Sequence, residues 1–153
     1  MAQSNSQLSN QGSYITLTKT GNTNAQGNPL YLISLYANGQ RAAAFESVTG
    51  RSHTQDNNRH VAGTEAPLPN GRYTVASSTV PGTHPEVGDR FLPIYPQFQT
   101  GRSALGIHYD PSFDMSNGKD GTSGCIALTN RQDLDHVLSF IRTYQPQYLE
   151  VNI

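Results

Sequence analysis

Leu30-Tyr31-Leu32-Ile33-Ser34-Leu35-Tyr36-Ala37-Asn38-Gly39-Gln40, followed by Ala42 to Val48, sets two β-favouring runs on either side of an Asn-Gly pair. Asn and Gly accept the positive φ values of a two-residue turn, so this stretch predicts an antiparallel hairpin. Upstream, Tyr14-Ile15-Thr16-Leu17-Thr18 is an earlier strand-like run. Arg72-Tyr73-Thr74-Val75-Ala76 is a later one, introduced by Pro67, Pro69 and the turn pair Asn70-Gly71. Leu105 to His108 and Cys125 to Leu128 are short apolar runs that read as buried strands. Gln147 to Ile153 alternates Tyr148, Glu150 and Asn152 with Leu149, Val151 and Ile153, the period of a terminal strand.

One helix interrupts this pattern. Thr129 or Asn130 is a good N-cap, and Asp133 complements the dipole of the first turn. Leu134, Val137, Leu138 and Ile141 follow at helical spacing, and Pro146 stops the element, predicting a helix over about 130–144. Residues 80–100 carry Pro81, Pro85, Pro93 and Pro96 with Gly82 and Gly88, and read as a long surface loop. The fold expected is mainly β, a sandwich or partly closed barrel with one late α-helix.

The chain has 153 residues, enough for one domain of ordinary size with its own core. Ser, Thr, Asn and Gln dominate the first dozen residues, so 1–12 read as a flexible polar arm and 13–153 as a single domain. A net charge of −1 gives no reason to expect nucleic acid or an anionic membrane as partner. No stretch approaches the length of a membrane span, and Met1 to Asn10 lacks the features of a signal peptide. A single Cys excludes a disulfide framework. His53, His60 and His84 lack Glu or Cys at ligand spacing and read as loop histidines; neither a metal nor a cofactor is expected.

The chemistry concentrates near Cys125. Thr122-Ser123-Gly124-Cys125 delivers the thiol directly after a Gly, where the backbone turns tightly and amide N–H groups can meet a developing oxyanion. A thiol nucleophile needs a base, and His108 ends the run Ala104-Leu105-Gly106-Ile107-His108. If the two runs are neighbouring strands joined by residues 109–121, their ends bring His108 and Cys125 together.

Gly106-Ile107-His108, then Thr122-Ser123-Gly124-Cys125-Ile126-Ala127-Leu128, resembles the signature of L,D-transpeptidase catalytic domains: His, about fourteen residues, Ser or Thr, His, Gly, Cys. Thr122 falls fourteen positions after His108. Leu35 to Gln40 with Val48-Thr49-Gly50, and the run from Thr64 to Tyr73, resemble the family's early hairpin and its approach to the next strand. Two positions depart: Ser123 stands where the family usually has His, and Ala127 where it commonly has Arg or Asn. The short motif also resembles peptidoglycan-targeting domains delivered by type VI secretion.

The resemblance implies a cysteine acyltransferase, an L,D-transpeptidase or L,D-carboxypeptidase acting on peptidoglycan tetrapeptide stems through a thioester on Cys125. His108 acts as base and then acid, oriented by a backbone carbonyl of Thr122, Ser123 or Gly124, with Gly124 and Cys125 N–H as oxyanion donors. Asp110 and Asp114 read as exposed loop acids rather than triad members. Candidate substrate contacts are Thr122, Arg102 and Tyr109: Arg102 either grips a substrate carboxylate or is merely solvated, and Tyr109, with Phe91, Tyr95 and Phe98, either lines a peptide groove or pins the Pro-rich loop. Such a catalytic Cys is expected to alkylate well below pH 8. The site of action implied is the cell envelope or periplasm, or a secreted effector's target, with an immunity or secretion protein as partner. The competing reading is a catalytically silent β domain that binds cell-wall peptide or a protein.

Overall fold

The computed structural model describes residues 12–153. Its strands are β1 (Tyr14–Thr23), β2 (Pro29–Ala37), β3 (Gln40–Thr49), β4 (Gly71–Val75), β5 (Val80–Pro81), β6 (Arg90–Pro96), β7 (Gly106–Tyr109), β8 (Ile126–Leu128) and β9 (Leu149–Asn152). The helix α1 (Arg131–Tyr144) lies between β8 and β9. The sheet runs β4-β9-β1-β2-β3-β8-β7-β6-β5, and an added β4–β6 pairing closes eight strands into a barrel with β5 appended. The expected mainly β fold with one late helix is thus observed, and of the two expected architectures, sandwich or partly closed barrel, it is the barrel, fully closed.

The β2–β3 hairpin turns at Asn38 and Gly39, with φ of 54° and 82°, as the two-residue turn requires. Gly39 N–H donates to Gly12 O at 3.2 Å, so Gly12 is tied to the hairpin; the rest of the expected arm lies outside the described residues. β9 pairs parallel to β1 and antiparallel to β4, the sheet's first closing step.

α1 begins where the cap chemistry puts it. The Asn130 side chain accepts from Asp133 N at 2.8 Å, and Gln145, at φ 47°, ends the helix with its N–H on Ile141 O before Pro146. Leu134, Val137, Leu138, Phe140 and Ile141 are buried in one cluster with Ile15, Leu17, Ile33, Ile107 and Ile126 from the strands. Fully burying a side chain of this size contributes roughly 1.5–3 kcal/mol, so this apolar face carries the helix's docking onto β2, β7 and β8.

The expected loop over 80–100 is a correction. It contains β5, a short 3-10 turn at Pro85–Val87, and β6, a strand bonded on both sides. The prolines are tolerated because their missing N–H groups fall where none is needed. Ile94 N–H donates to Leu105 O, Gln97 N–H to Arg72 O, and Pro93 contributes only its carbonyl, to Ala76 N–H.

Candidate active site

β7 and β8 are parallel neighbours, with His108 opposite Ala127 and Ile107 opposite Ile126. Cys125 immediately precedes β8, two residues before Ala127, so strand alternation puts it on the His108 face. A parallel pair needs a crossover, here residues 110–125. By that register Cys125 falls level with Gly106, so His108 and Cys125 lie on one face of neighbouring strands, one diagonal step apart, rather than end to end across the 109–121 segment.

His108 is fully buried, and its Nδ1 lies 2.7 Å from Tyr109 O. A carbonyl only accepts, so Nδ1 carries the hydrogen and Nε2 holds the free lone pair. Nε2 is buried with no hydrogen-bond partner among the described residues. Burial lowers the imidazole's affinity for a proton, against smaller raising effects of the Tyr109 carbonyl and the Glu86 charge. The Phe91 ring stacks on the imidazole with centroids 6.4 Å apart. It also occupies the space over Gly106, where a Cβ would come within 2.3 Å of Phe91 Cζ. The orienting carbonyl therefore belongs to Tyr109; those of Ser123 and Gly124 are taken by Arg102 and Thr49.

Cys125 is partly exposed on the floor of a cleft of about 670 Å³. Its Sγ lies 3.8 Å from Ala104 O and makes no hydrogen bond to His108. Burial pushes the thiol up to about 12; the Gly106 N–H opposes this, Glu86 adds to it, and Arg102 opposes it. The resting pair is thus a neutral thiol beside a neutral imidazole with an available lone pair, rather than a preformed ion pair.

The turn before Cys125 is held from inside. Thr122 Oγ1 donates to Cys125 O at 2.7 Å and accepts from Gly50 N at 2.9 Å and Gly124 N at 3.1 Å. Thr122 N–H donates to Gly50 O at 3.0 Å. Gly124 has φ 134°, and a Cβ there would sit 1.6 Å from Arg102 Nη2, so only glycine passes. Of the two amides expected as oxyanion donors, Gly124 N–H is engaged within the turn.

Ser123, in the family's usual His position, points into a cluster the sequence did not reveal. Its N–H and Oγ meet the two carboxylate oxygens of Glu86 at 3.1 and 3.0 Å, and Oγ lies 3.2 Å from Glu65 Oε2. Arg51 bridges both acids at 3.5 Å. Glu65 and Glu86 line the cleft beside Cys125. Neither acid had a local signal, because loops remote in sequence bring them in.

A family model, the YkuD L,D-transpeptidase catalytic domain, matches residues 22–148, which include His108, the turn and Cys125. The chain belongs to that family. No curated protein and no solved structure matches it. The family acts on peptidoglycan.

Within this L,D-transpeptidase domain, the side chains of the three candidate substrate contacts are engaged by the protein itself. Thr122 is fully buried and spends its hydroxyl on the turn, so it cannot touch substrate. Arg102 is buried rather than solvated, with its guanidinium on the carbonyls of Arg59, Ala66, Pro67 and Ser123. Tyr109, one position on from His108, projects from the opposite face, packs against Gly88 and meets Arg131 Nη1 at 3.0 Å through its hydroxyl. It pins the segment that carries Glu86. Phe91 is the aromatic that lines the cleft, while Tyr95 is exposed and Phe98 stacks edge-on to Tyr73.

Ala127 is fully buried with Leu30 and Val48 beneath Phe113, so the family's usual polar side chain is replaced by apolar packing. Asp110, expected to be exposed, is buried and accepts from Gly121 N at 2.7 Å and Ser112 N at 2.9 Å, while Asp114 is exposed and accepts from Ala25 N. Neither carboxylate bonds to His108. Among the described residues no three His, Cys, Asp or Glu side chains are grouped to hold a metal, and no helix is long and apolar enough to cross a membrane.

Proposed function

We propose that this domain performs cysteine acyl transfer on peptidoglycan stem peptides, cleaving the amide between the diamino acid and the terminal D-Ala of a tetrapeptide. Cys125 Sγ attacks the carbonyl carbon as His108 Nε2 takes the thiol proton. The S–C bond forms, the C–N bond breaks, and the imidazolium returns that proton to the departing D-Ala amine. An acceptor amine or water then attacks the thioester, losing a proton to Nε2, and the thiolate leaves to be reprotonated. On this reading the oxyanion donor is Cys125 N–H, since Gly124 N–H is engaged by Thr122 Oγ1. The site of action is the cell envelope or periplasm, where the substrate lies.

The observation that carries the reading is the Tyr109 carbonyl on His108 Nδ1, which leaves Nε2 as a buried, unpartnered base on the strand beside Cys125. The test is mass spectrometry of protein and products after incubation with disaccharide tetrapeptide, wild type beside Cys125→Ala. Loss of D-Ala, a cross-linked dimer or an acyl adduct on Cys125, absent in the variant, is the expected result. Unchanged substrate with unmodified Cys125 overturns it.

A further inference from the structure

Arg102 is a buried cation without a counter-ion. It is 6% exposed, and no carboxylate pairs with it among the described residues. Four carbonyls take its hydrogens: Nη1 donates to Arg59 O at 3.0 Å and Pro67 O at 3.4 Å, and Nη2 to Ala66 O at 3.0 Å and Ser123 O at 3.3 Å. Three of these acceptors belong to the loop over 59–67 and the fourth to the turn before Cys125. The guanidinium also lies directly against Gly124, where a Cβ would be 1.6 Å from Nη2.

Carbonyl dipoles satisfy the donors but leave the net charge unneutralised, and an unneutralised buried charge is costly. A neutral side chain could fill the space more cheaply. The charge has a use if an anion forms beside it, and the adjoining residue in the turn is the nucleophile.

We propose that Arg102 is a positioning residue for the acyl transfer: its fork clamps Ser123 O to the 59–67 loop, fixing the turn that presents Cys125, and its uncompensated charge favours the thiolate as it forms. This rests on the reading of Cys125 as nucleophile. Burial dominates both groups, pushing the thiol's proton affinity up and the guanidinium's down, and the attraction between Arg102 and a Cys125 thiolate opposes each effect.

Two variants separate fork from charge. Arg102→Lys keeps the charge without the fork, and Arg102→Met keeps a stem and loses both. Alkylation of Cys125 by iodoacetamide at pH 8 reads the thiolate fraction without requiring turnover. The Met variant is expected to alkylate about tenfold slower or less still, and the Lys variant within about threefold of wild type. The Lys variant is also expected to lose about tenfold in kcat on disaccharide tetrapeptide with KM little changed, because the turn is no longer clamped. A folded Met variant that alkylates as fast as wild type overturns the charge role; a Lys variant with wild-type kcat overturns the clamp. If the Met variant does not fold, the Lys variant decides alone, and alkylation slowed in parallel with kcat overturns the proposal. Wild-type protein that turns over no substrate refutes the acyl-transfer reading instead, while the alkylation rates still judge Arg102.

Discussion

Glu86 and Ser123 are joined twice: the two carboxylate oxygens of Glu86 accept from Ser123 N–H at 3.1 Å and from its hydroxyl at 3.0 Å. Ser123 stands immediately before the glycine of the nucleophile turn, and Glu86 sits on the 3-10 turn of the segment that walls the cleft. The contact therefore latches the cleft wall to the turn. It also puts a negative charge near a thiol that must become an anion.

Glu86→Gln is expected to speed alkylation of Cys125 at pH 8, because Glu86 raises the thiol's proton affinity. The fold should change little, since a partly exposed latch of this kind contributes under about 1 kcal/mol. Rates measured on folded protein check this, and alkylation slower than wild type would be the opposite of the expected sign. The direction is the reverse of that for Arg102→Met, so the pair reports the field at Sγ.

The resting site also sets a pH dependence. Burial lowers the His108 proton affinity from its ordinary range near pH 6.5, so the imidazole is neutral there, while the thiol is pushed up to about 12. Alkylation of the substrate-free protein should therefore rise steadily above pH 8, not plateau below it as a preformed ion pair would. Turnover should fall on the acid side only below the ordinary imidazole range, because burial lowers the His108 proton affinity, and His108→Gln should cost roughly 10²–10⁴ in kcat. Paired pH profiles of alkylation and turnover test both; a plateau near neutrality would contradict the neutral resting pair.

What was legible in the sequence had local causes. Asn38-Gly39 needs only its own φ preferences to make a hairpin, and Asn130, Asp133 and Pro146 bound α1 through neighbours in the chain. His108 and Cys125 were legible as the polar ends of two short apolar runs, but not how they meet: the strands are parallel, so Cys125 falls level with Gly106 and His108 lies one diagonal step away. β6 was not, because proline disrupts a strand only where its N–H is needed, and the sides on which β4 and β7 pair are set by the closed barrel. The same holds for Arg102, whose four carbonyls, and for Ser123, whose two acids, come from segments far along the chain.

Asp110 offers a test of the loop that carries the turn. Burial raises its carboxyl to about 6, against the lowering effect of the Gly121 and Ser112 amides. The native state thus holds a proton that the unfolded chain releases near pH 4, so this group's contribution to stability falls as pH rises from about 4 to about 6 and is flat above. His108 acts oppositely, since the unfolded chain takes up a proton below about 6.5 before the buried imidazole does. Urea titrations of wild type and Asp110→Asn across this range should give a stability difference that shrinks from pH 4 to pH 6. A constant difference would show that Asp110 does not titrate there.

Restoring the family's usual polar residue should not restore its role. Ala127 is sealed under Phe113 against Leu30 and Val48, so Ala127→Arg would have to expel the ring or bury a charge without a partner. Loss of about 3 kcal/mol or more is expected, with lower turnover. Thermal unfolding beside kcat measurement checks it; a stable, more active variant would mean that this apolar cluster is not what closes the subsite.

Thr122 is the hinge pin of the turn, and its hydroxyl makes three contacts that a methyl cannot. Thr122→Val keeps the volume but leaves Gly50 N, Gly124 N and Cys125 O without it, an expected loss of about 1–3 kcal/mol because these groups are buried. Freed from Thr122, Gly124 N–H can turn, and Cys125 shifts by the fraction of an ångström that near-attack geometry does not tolerate. Thr122→Ser keeps the hydroxyl and should recover most of both stability and kcat, whereas a substrate-contact role would appear chiefly in KM. A Val variant with unchanged kcat and raised KM would return Thr122 to the substrate surface that its burial denies it.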